Sequence, residues 1–374
     1  METTKHYQHV MIPLPAADGK HFYLNFDALK NTAIEINQFL NENSYMNESN
    51  FLAETIFPFE IKTNNATEGY YDDINSIYYA MSIHSKKQAN LAQKRVQNLW
   101  TGYNMIFREL PINETNLNRL YQILSNGILV KSEQLKTGEI YRHAPVYIHY
   151  SNNLHQTPDM GVQAGLIEYY MDHLFEFINE DYYTTPIQSY IKSQIIHFYF
   201  VFVHPYFDIN GRTSRTLSTW YLLNHHHFAF TLFNRHIPFT LKKYYTLIHE
   251  ARSSHDLTNF ITYMMSGILS EMKKEKMIHD YEEYFECEFD VQEKQTILYI
   301  LTMNSHRTVK DFAVLYNRFN QKQKVYTVYQ EFIIPLIEKG IIIKEQDTNS
   351  YINHNIPNFF FSLAPLPKEK VLKK

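Results

Sequence analysis

His204-Pro205-Tyr206-Phe207-Asp208-Ile209-Asn210-Gly211-Arg212-Thr213-Ser214-Arg215 follows a nearly unbroken apolar run, Ile195 to Val203. The run reads as a helix buried on all sides, and the polar residues that emerge from its end are the types that handle phosphate. A histidine held neutral at the end of a buried helix is suited to act as a general base. Asp208 is a hard oxygen ligand of the kind that shares Mg²⁺ with substrate phosphates. Asn210-Gly211 opens a second helix, whose free N–H groups attract anions and whose glycine permits close approach of the backbone. Arg212 and Arg215 lie three residues apart and therefore on one helix face, where guanidinium groups can grip phosphate oxygens. Base, metal ligand, anion-binding turn and paired cations together point to phosphoryl or nucleotidyl transfer.

The composition supports a helical setting for this chemistry. The 374 residues have room for two or three domains, and 44% are hydrophobic. There are 30 Tyr and 26 Phe but only 10 Gly, a balance that favours helices with aromatic packing. The net charge of −4 argues against a protein that coats polyanions. The single cysteine, Cys287, excludes an internal disulfide and a Cys-based zinc site, which fits a cytoplasmic setting. Met1 to His6 has no apolar leader pattern, so no signal peptide is expected. The longest apolar run is about half of the ~18 residues needed to span a bilayer, so no membrane association is expected either.

Working outward from the motif, apolar spacing of three and four predicts helices over Asp72 to Met81, Lys86 to Trp100, Glu114 to Ser125 and Val162 to Asn179. Asn126-Gly127 should stop the third, and Pro186 should open the buried helix at its first turn. Residues 1 to about 20 read as an extended lead-in, and Phe26 to Leu52 as one or two helices. Between Leu135 and Gly161 the pattern changes to that of a small hairpin or flap. After Gly211 to His226, helices continue to about Ile278, and an acidic stretch from Tyr281 to Phe289 marks a boundary. Beyond it come helices over Gln292 to Met303, Thr308 to Tyr316 and Gln323 to Lys339, then strands at Ile341-Ile342-Ile343 and Phe359-Phe360-Phe361. That is the order of a winged helix-turn-helix.

The twelve-residue stretch also resembles the signature of the Fic family, His-x-Phe-x-(Asp/Glu)-Gly-Asn-Gly-Arg-x-x-Arg. His204, Asp208, Asn210, Gly211, Arg212 and Arg215 match; Tyr206 stands for the usual Phe and Ile209 for the usual first Gly. A β-branched residue is strained where positive φ is needed and accommodated where only its backbone N–H is used. The resemblance implies a mostly α-helical core with a β-hairpin flap, which transfers AMP from ATP to a Ser, Thr or Tyr hydroxyl of a target protein. In that scheme His204 takes the hydroxyl proton, Asp208 holds Mg²⁺, Asn210, Gly211 and Arg212 line an anion hole, and Arg215 reaches the γ-phosphate. Gly138-Glu139-Ile140-Tyr141-Arg142 and Val146-Tyr147-Ile148 look like the family's flap, which docks a target segment by strand addition. Asn64-Asn65-Ala66-Thr67-Glu68-Gly69 resembles the family's inhibitory motif, with Glu68 expected to pair with Arg215 and Asn64 read as a helix cap.

These readings divide the chain into an N-terminal helical region over 1–110 with the inhibitory segment near 63–70, a catalytic core over 111–280, and a winged-helix-like domain over 281–374. Rival readings are transfer of UMP, phosphate or phosphocholine by the same histidine, and a non-catalytic nucleotide-sensing regulator. The tail from 290 carries twelve basic against eight acidic residues. Protein docking or a homodimer contact is favoured there over DNA, because a DNA reader usually presents a stronger basic face. His225-His226-His227 is read as a helix end rather than a metal site, since consecutive helical residues point apart. His197, Trp100 and Trp220 are read as core or cleft residues.

Overall fold

The computed structural model describes residues 9–48, 56–83, 89–148, 158–180, 185–286, 288–303, 307–353 and 356–366. The expected mostly helical architecture is observed, and the described strands form three separate two-stranded antiparallel hairpins. The first, β1 (His9–Pro15) with β2 (His21–Asn25), occupies much of the presumed extended lead-in. Gly19 closes its turn at φ +80, a value that glycine adopts without a Cβ penalty. β2 runs directly into α1 (Phe26–Glu42), whose N-cap Asn25 accepts from the amides of Asp27 and Ala28.

Four helices follow: α2 (Ile56–Thr67), α3 (Ile74–Ser82), α4 (Leu91–Ile106) and α5 (Glu114–Ser125). Asn126 caps α5 as its Asn-Gly pair predicted, with Gly127 at φ +67. A short hairpin of β3 (Tyr147–Ile148) and β4 (Asp159–Met160) then precedes α6 (Ile167–Asn179). α7 (Pro186–Val203) begins with Pro186 in its first turn and a reciprocal cap between Thr185 and Gln188. From Ser189 to Val203 every residue of α7 is buried, the mark of a central helix with no solvent face. α8 (Asn210–Asn224) packs against it. α9 (Leu241–Ser254) and the long α10 (Thr258–Phe285) complete the larger hydrophobic cluster. Trp220 lies fully inside that cluster and Trp100 packs partly buried against it.

α10 ends at Glu286 in a left-handed conformation, inside the acidic stretch. α11 (Val291–Thr302), α12 (Val309–Phe319) and α13 (Val325–Val328) follow; α13 continues through a π-helical turn, Tyr329–Ile333, into α14 (Ile334–Glu338). The hairpin β5 (Ile342–Asn353) and β6 (Ile356–Leu363) closes the described chain. A second hydrophobic cluster forms here, from Ile297, Tyr299, Phe312, Phe319, Leu336 and Phe361 among others. It also takes in Phe59 and Ala66 of α2 and Ile74 of α3. α2 thus lies between the two clusters: Ile61 faces the larger one, and the Lys62 ammonium is buried against Gln295 (3.3 Å) and Asn320 (3.0 Å). No helix among the described residues is long and apolar enough to cross a membrane.

Candidate active site

The end of α7 determines where the motif begins. His204 caps that helix in a left-handed conformation, φ +53, with its amide donating to Phe200 O at 3.0 Å. Its Nδ1 faces the carbonyl of Val201 at 3.3 Å. A carbonyl can only accept, so Nδ1 carries the proton and Nε2 is left as the basic nitrogen. Burial, with the Arg142 and Arg252 charges adding to it, pulls the imidazole pKa down to about 4, so the ring is neutral at pH 7.

Arg142 holds this corner in place. It is 2% exposed and donates to the carbonyls of His204 (2.8 Å), Ala144 (2.8 Å) and Val162 (2.6 Å). One guanidinium therefore ties the hairpin region to the turn that carries His204. Gly161 leaves room for it: a Cβ there would lie 2.6 Å from Arg142 Nη2. The flap differs from the sequence reading in its pairing. Tyr147 and Ile148 pair with Met160 and Asp159, whereas Gly138 to Arg142 form turns and an anchor rather than a strand. The guanidinium's demand for carbonyl acceptors overrides the β signal of Ile140 and Tyr141. The connecting polar stretch 149–157 lies outside the described residues.

The loop from Tyr206 to Ile209 is shaped from inside. Tyr206 is fully buried, as a core ring at that position should be, and stacks on Tyr121 with centroids 3.6 Å apart. The Asn210 side chain bonds Tyr206 twice, accepting from its amide (3.0 Å) and donating to its carbonyl (2.8 Å). Asp208 Oδ1 accepts from the Ile209 amide at 2.6 Å. Ile209 takes the left-handed conformation, φ +69, with its side chain buried. The position therefore does need positive φ, and isoleucine adopts it under strain.

α8 starts immediately afterwards, and its N-terminus is occupied by a carboxylate. Glu68 projects from the turn that ends α2 and lies against Gly211; a Cβ on Gly211 would collide with it. The same carboxylate pairs with Arg215 Nη2. Arg215 is 1% exposed, while Glu68 keeps 27% of its side chain open. Burial disfavours the charged form of Glu68, but the Arg215 and Arg212 charges outweigh it and hold the carboxyl below its usual range. Asn64, one turn earlier on α2, accepts from Arg215 Nε through Oδ1 at 2.9 Å and offers its carbonyl at 3.4 Å. Asn64 lies inside α2 and is not a helix cap: α2 begins upstream at Ile56, which puts the side chain on the face that meets Arg215. Gly69, at φ +82, ends the helix. Arg212 is 4% exposed, and its Nε has no partner among the described residues.

The structure thus brings Glu68, His204, Asp208, Asn210, Gly211, Arg212 and Arg215 around one loop and one helix N-terminus. Arg142 and the Arg215-binding role of Asn64 were not assigned as site features from sequence; the Tyr-Arg pair at 141–142 was the available signal. The histidine run lies elsewhere: His225 Nδ1 contacts the Tyr221 carbonyl at 2.7 Å, in the manner of a helix end. His197 is fully buried below the site. Among the described residues no group of three acidic, His or Cys side chains is placed to hold a metal ion. Asp208 still suits Mg²⁺, which commonly takes one carboxylate and draws its other ligands from water and substrate phosphates.

Residues 111–222 match the family model described as "Fic/DOC family". The fold is similar to that of a Fic family protein from Desulfovibrio desulfuricans G20, with a TM-score of 0.56 and 19% identity over 91% of this chain and 97% of that one. It is also similar to Fic-1 from C. elegans, with a TM-score of 0.51 and 15% identity over 68% of this chain and 73% of that one. No curated protein matches the sequence significantly. Fold and motif together define a mostly helical chain whose central segment, residues 111–222, is similar to the Fic/DOC family.

Proposed function

We propose that this chain transfers AMP from ATP to a Ser, Thr or Tyr hydroxyl of a protein and is restrained by its own Glu68. The observation that carries this reading is the Glu68 carboxylate seated on the N-terminus of α8 and on Arg215, beside a neutral histidine. An internal anion occupies the place where substrate phosphate would bind. With Glu68 displaced, Arg215 is free for the γ-phosphate, while the Gly211 amide and Arg212 face the other phosphate oxygens. Asn210 acts by holding the loop in shape.

The target hydroxyl loses its proton to His204 Nε2 as its oxygen attacks the α-phosphorus. The α–β anhydride bond breaks, pyrophosphate leaves, and the proton passes from His204 to solvent. Mg²⁺, held by Asp208 together with the phosphates, would neutralise part of their charge. The flap offers the edge of β3 or β4 to an extended target segment, a mode that reads little sequence.

Mass spectrometry of Glu68→Gly protein after incubation with ATP and Mg²⁺ tests the reaction type. An adduct with the mass of AMP on a Ser, Thr or Tyr, lost in Glu68→Gly/His204→Ala, is the expected result. A phosphate adduct, or AMP labelling that survives loss of His204, overturns it. Parallel incubations with UTP and a phosphocholine donor separate the other transfers, because the motif grips phosphates and does not choose the base. Ile209, strained at φ +69, is the observation that favours a non-catalytic nucleotide sensor. ATP binding to Glu68→Gly protein without any adduct is the outcome that identifies one.

A further inference from the structure

We infer that Tyr70 is a second arm of the brake, its ring covering Arg212 while Glu68 occupies Arg215. The inference rests on the reading of the α8 N-terminus as a phosphate site, given above. Two guanidiniums converge on this ring. Arg95 of α4 lies over it with Cζ 3.7 Å from the centroid, and Arg212 of α8 lies 5.7 Å from the same centroid. Both fall within the ~6 Å over which an aromatic face attracts a cation. Tyr70 and Arg95 lie outside the segment that matches the family model.

The backbone delivers Tyr70 to that place. α2 ends in a Schellman turn, in which the Tyr70 amide donates to Asn65 O and the Gly69 amide to Ala66 O, each at 3.0 Å. Gly69 supplies the left-handed residue that this turn requires. Asn65 Nδ2 donates to Asp72 Oδ2 at 3.2 Å, and Asp73 caps α3 by accepting from the Ser76 amide at 2.9 Å. Glu68 and Tyr70 are thus two residues of one braced turn, and they approach or leave α8 together. The next ring is engaged elsewhere: Tyr71 meets Phe319 of α12 edge-on at 5.7 Å.

The ring covers Arg212 without satisfying it. Arg212 is 4% exposed, and its Nε has no partner among the described residues. A ring face attracts a cation but offers no lone pair in the plane of the guanidinium, whereas a phosphate oxygen accepts its N–H groups directly. The cover is therefore weaker than the ligand it excludes. Tyr70 itself is 37% exposed, so lifting it sacrifices little burial, and solvent screens its pull on the cations. The two arginines of the motif are thus held off phosphate by different means, Arg215 by a neutralising charge and Arg212 by an aromatic shield.

Calorimetry of ATP with Mg²⁺ binding to the full chain reads the cover directly, because it needs no turnover. Tyr70→Ala and Tyr70→Leu should each tighten ATP about threefold, the scale of one partly exposed cation–π contact, while Tyr70→Phe, which keeps the ring, stays within about 1.5-fold of wild type. The same gains should appear when each change is made in Glu68→Ala, which removes the carboxylate without adding a second glycine to the turn. A gain that vanishes in Glu68→Ala makes the ring a prop for Glu68 and overturns the cover, as does unchanged affinity in both backgrounds. Weaker binding in Tyr70→Ala makes the ring a nucleotide contact and overturns it equally. If Glu68→Ala binds no ATP, the phosphate reading of α8 falls and the inference with it. The transferase reading fails separately, by the absence of an AMP adduct, and leaves these affinities interpretable.

Discussion

Replacing Glu68 by Gly should speed AMP transfer and weaken the fold in the same step. The ion pair is charge-assisted, with Arg215 1% exposed and Glu68 27% exposed. Hydrogen bonds to charged groups contribute ~1.5–3 kcal/mol, and the open side of Glu68 places this one near the lower end through solvent screening. If ATP must displace that contact, its loss corresponds to an increase of about 10- to 30-fold in transfer at subsaturating ATP. Stability should fall by a similar ~1.5–2 kcal/mol, because Arg215 remains buried with Asn64 as its acceptor on α2. Glu68→Gln, which keeps the shape and loses the charge, should give about half the free-energy effect. Asn64→Ala removes a neutral acceptor and should accelerate transfer by about fivefold. Incorporation of label from α-labelled ATP, alongside urea denaturation of the same preparations, reads both quantities. Equal labelling by wild type and Glu68→Gly refutes the reasoning, as does an activated variant that is also more stable.

Three other outcomes follow from the site and its surroundings. Ile209→Gly relieves ~1–2 kcal/mol of left-handed strain but gives up a buried side chain costing ~2–5 kcal/mol, so denaturation should show a net loss of about 1–3 kcal/mol. Its turnover in the Glu68→Gly background should stay unchanged, since the loop already has the required turn; a rise of about tenfold or more would show that isoleucine impairs the chemistry. Acid should destabilise the protein well above the carboxylate range. Burial holds His197 and His236 neutral, each with a pKa near 3, so the stability they contribute above pH ~6.5 is lost as pH falls towards 3. Each costs about 2 kcal/mol between pH 7 and 5, as does His204, and the half-buried His227 costs somewhat less through solvent screening, both with a pKa pulled down to about 4. Buried Glu60, its pKa raised to about 7, returns about 2 kcal/mol as it protonates, leaving a net loss of roughly 5 kcal/mol. A flat or rising urea midpoint over that interval contradicts this balance. Asp208→Ala should abolish the Mg²⁺ dependence of ATP affinity measured by calorimetry; a titration that still responds to Mg²⁺ assigns the metal elsewhere.

Local signals read well wherever they acted alone. The end of α5 and the first turn of α7 follow from Asn126-Gly127 and Pro186, whose capping and φ preferences owe nothing to distant residues. The motif was legible because its order encodes helix end, loop and helix start. What escaped the sequence was set by tertiary demand. The hairpin of β1 and β2 carried its Asp18-Gly19 turn in plain view, but Pro13 and Pro15 obscured the strand pattern. Arg142 displaced a predicted strand because a buried guanidinium seeks carbonyls. Asn64 was read as a cap from its type, and only the packing of α2 reveals that it faces Arg215.

The position of α2 between two hydrophobic clusters changes what dissection of this protein can mean. Phe59 and Ala66 have one wall in the segment after Phe285, and Lys62 hydrogen-bonds to amide oxygens from that segment, Gln295 and Asn320. A chain cut at Phe285 would keep His204 and Arg215 intact yet bare one side of the helix that carries Glu68. On the proposed reading, any rate measured on such a fragment would describe a chain whose Glu68-bearing segment has lost one of its walls. On that reading, the C-terminal region would thereby gain leverage over Glu68, and whatever grips that region would gain a handle on it.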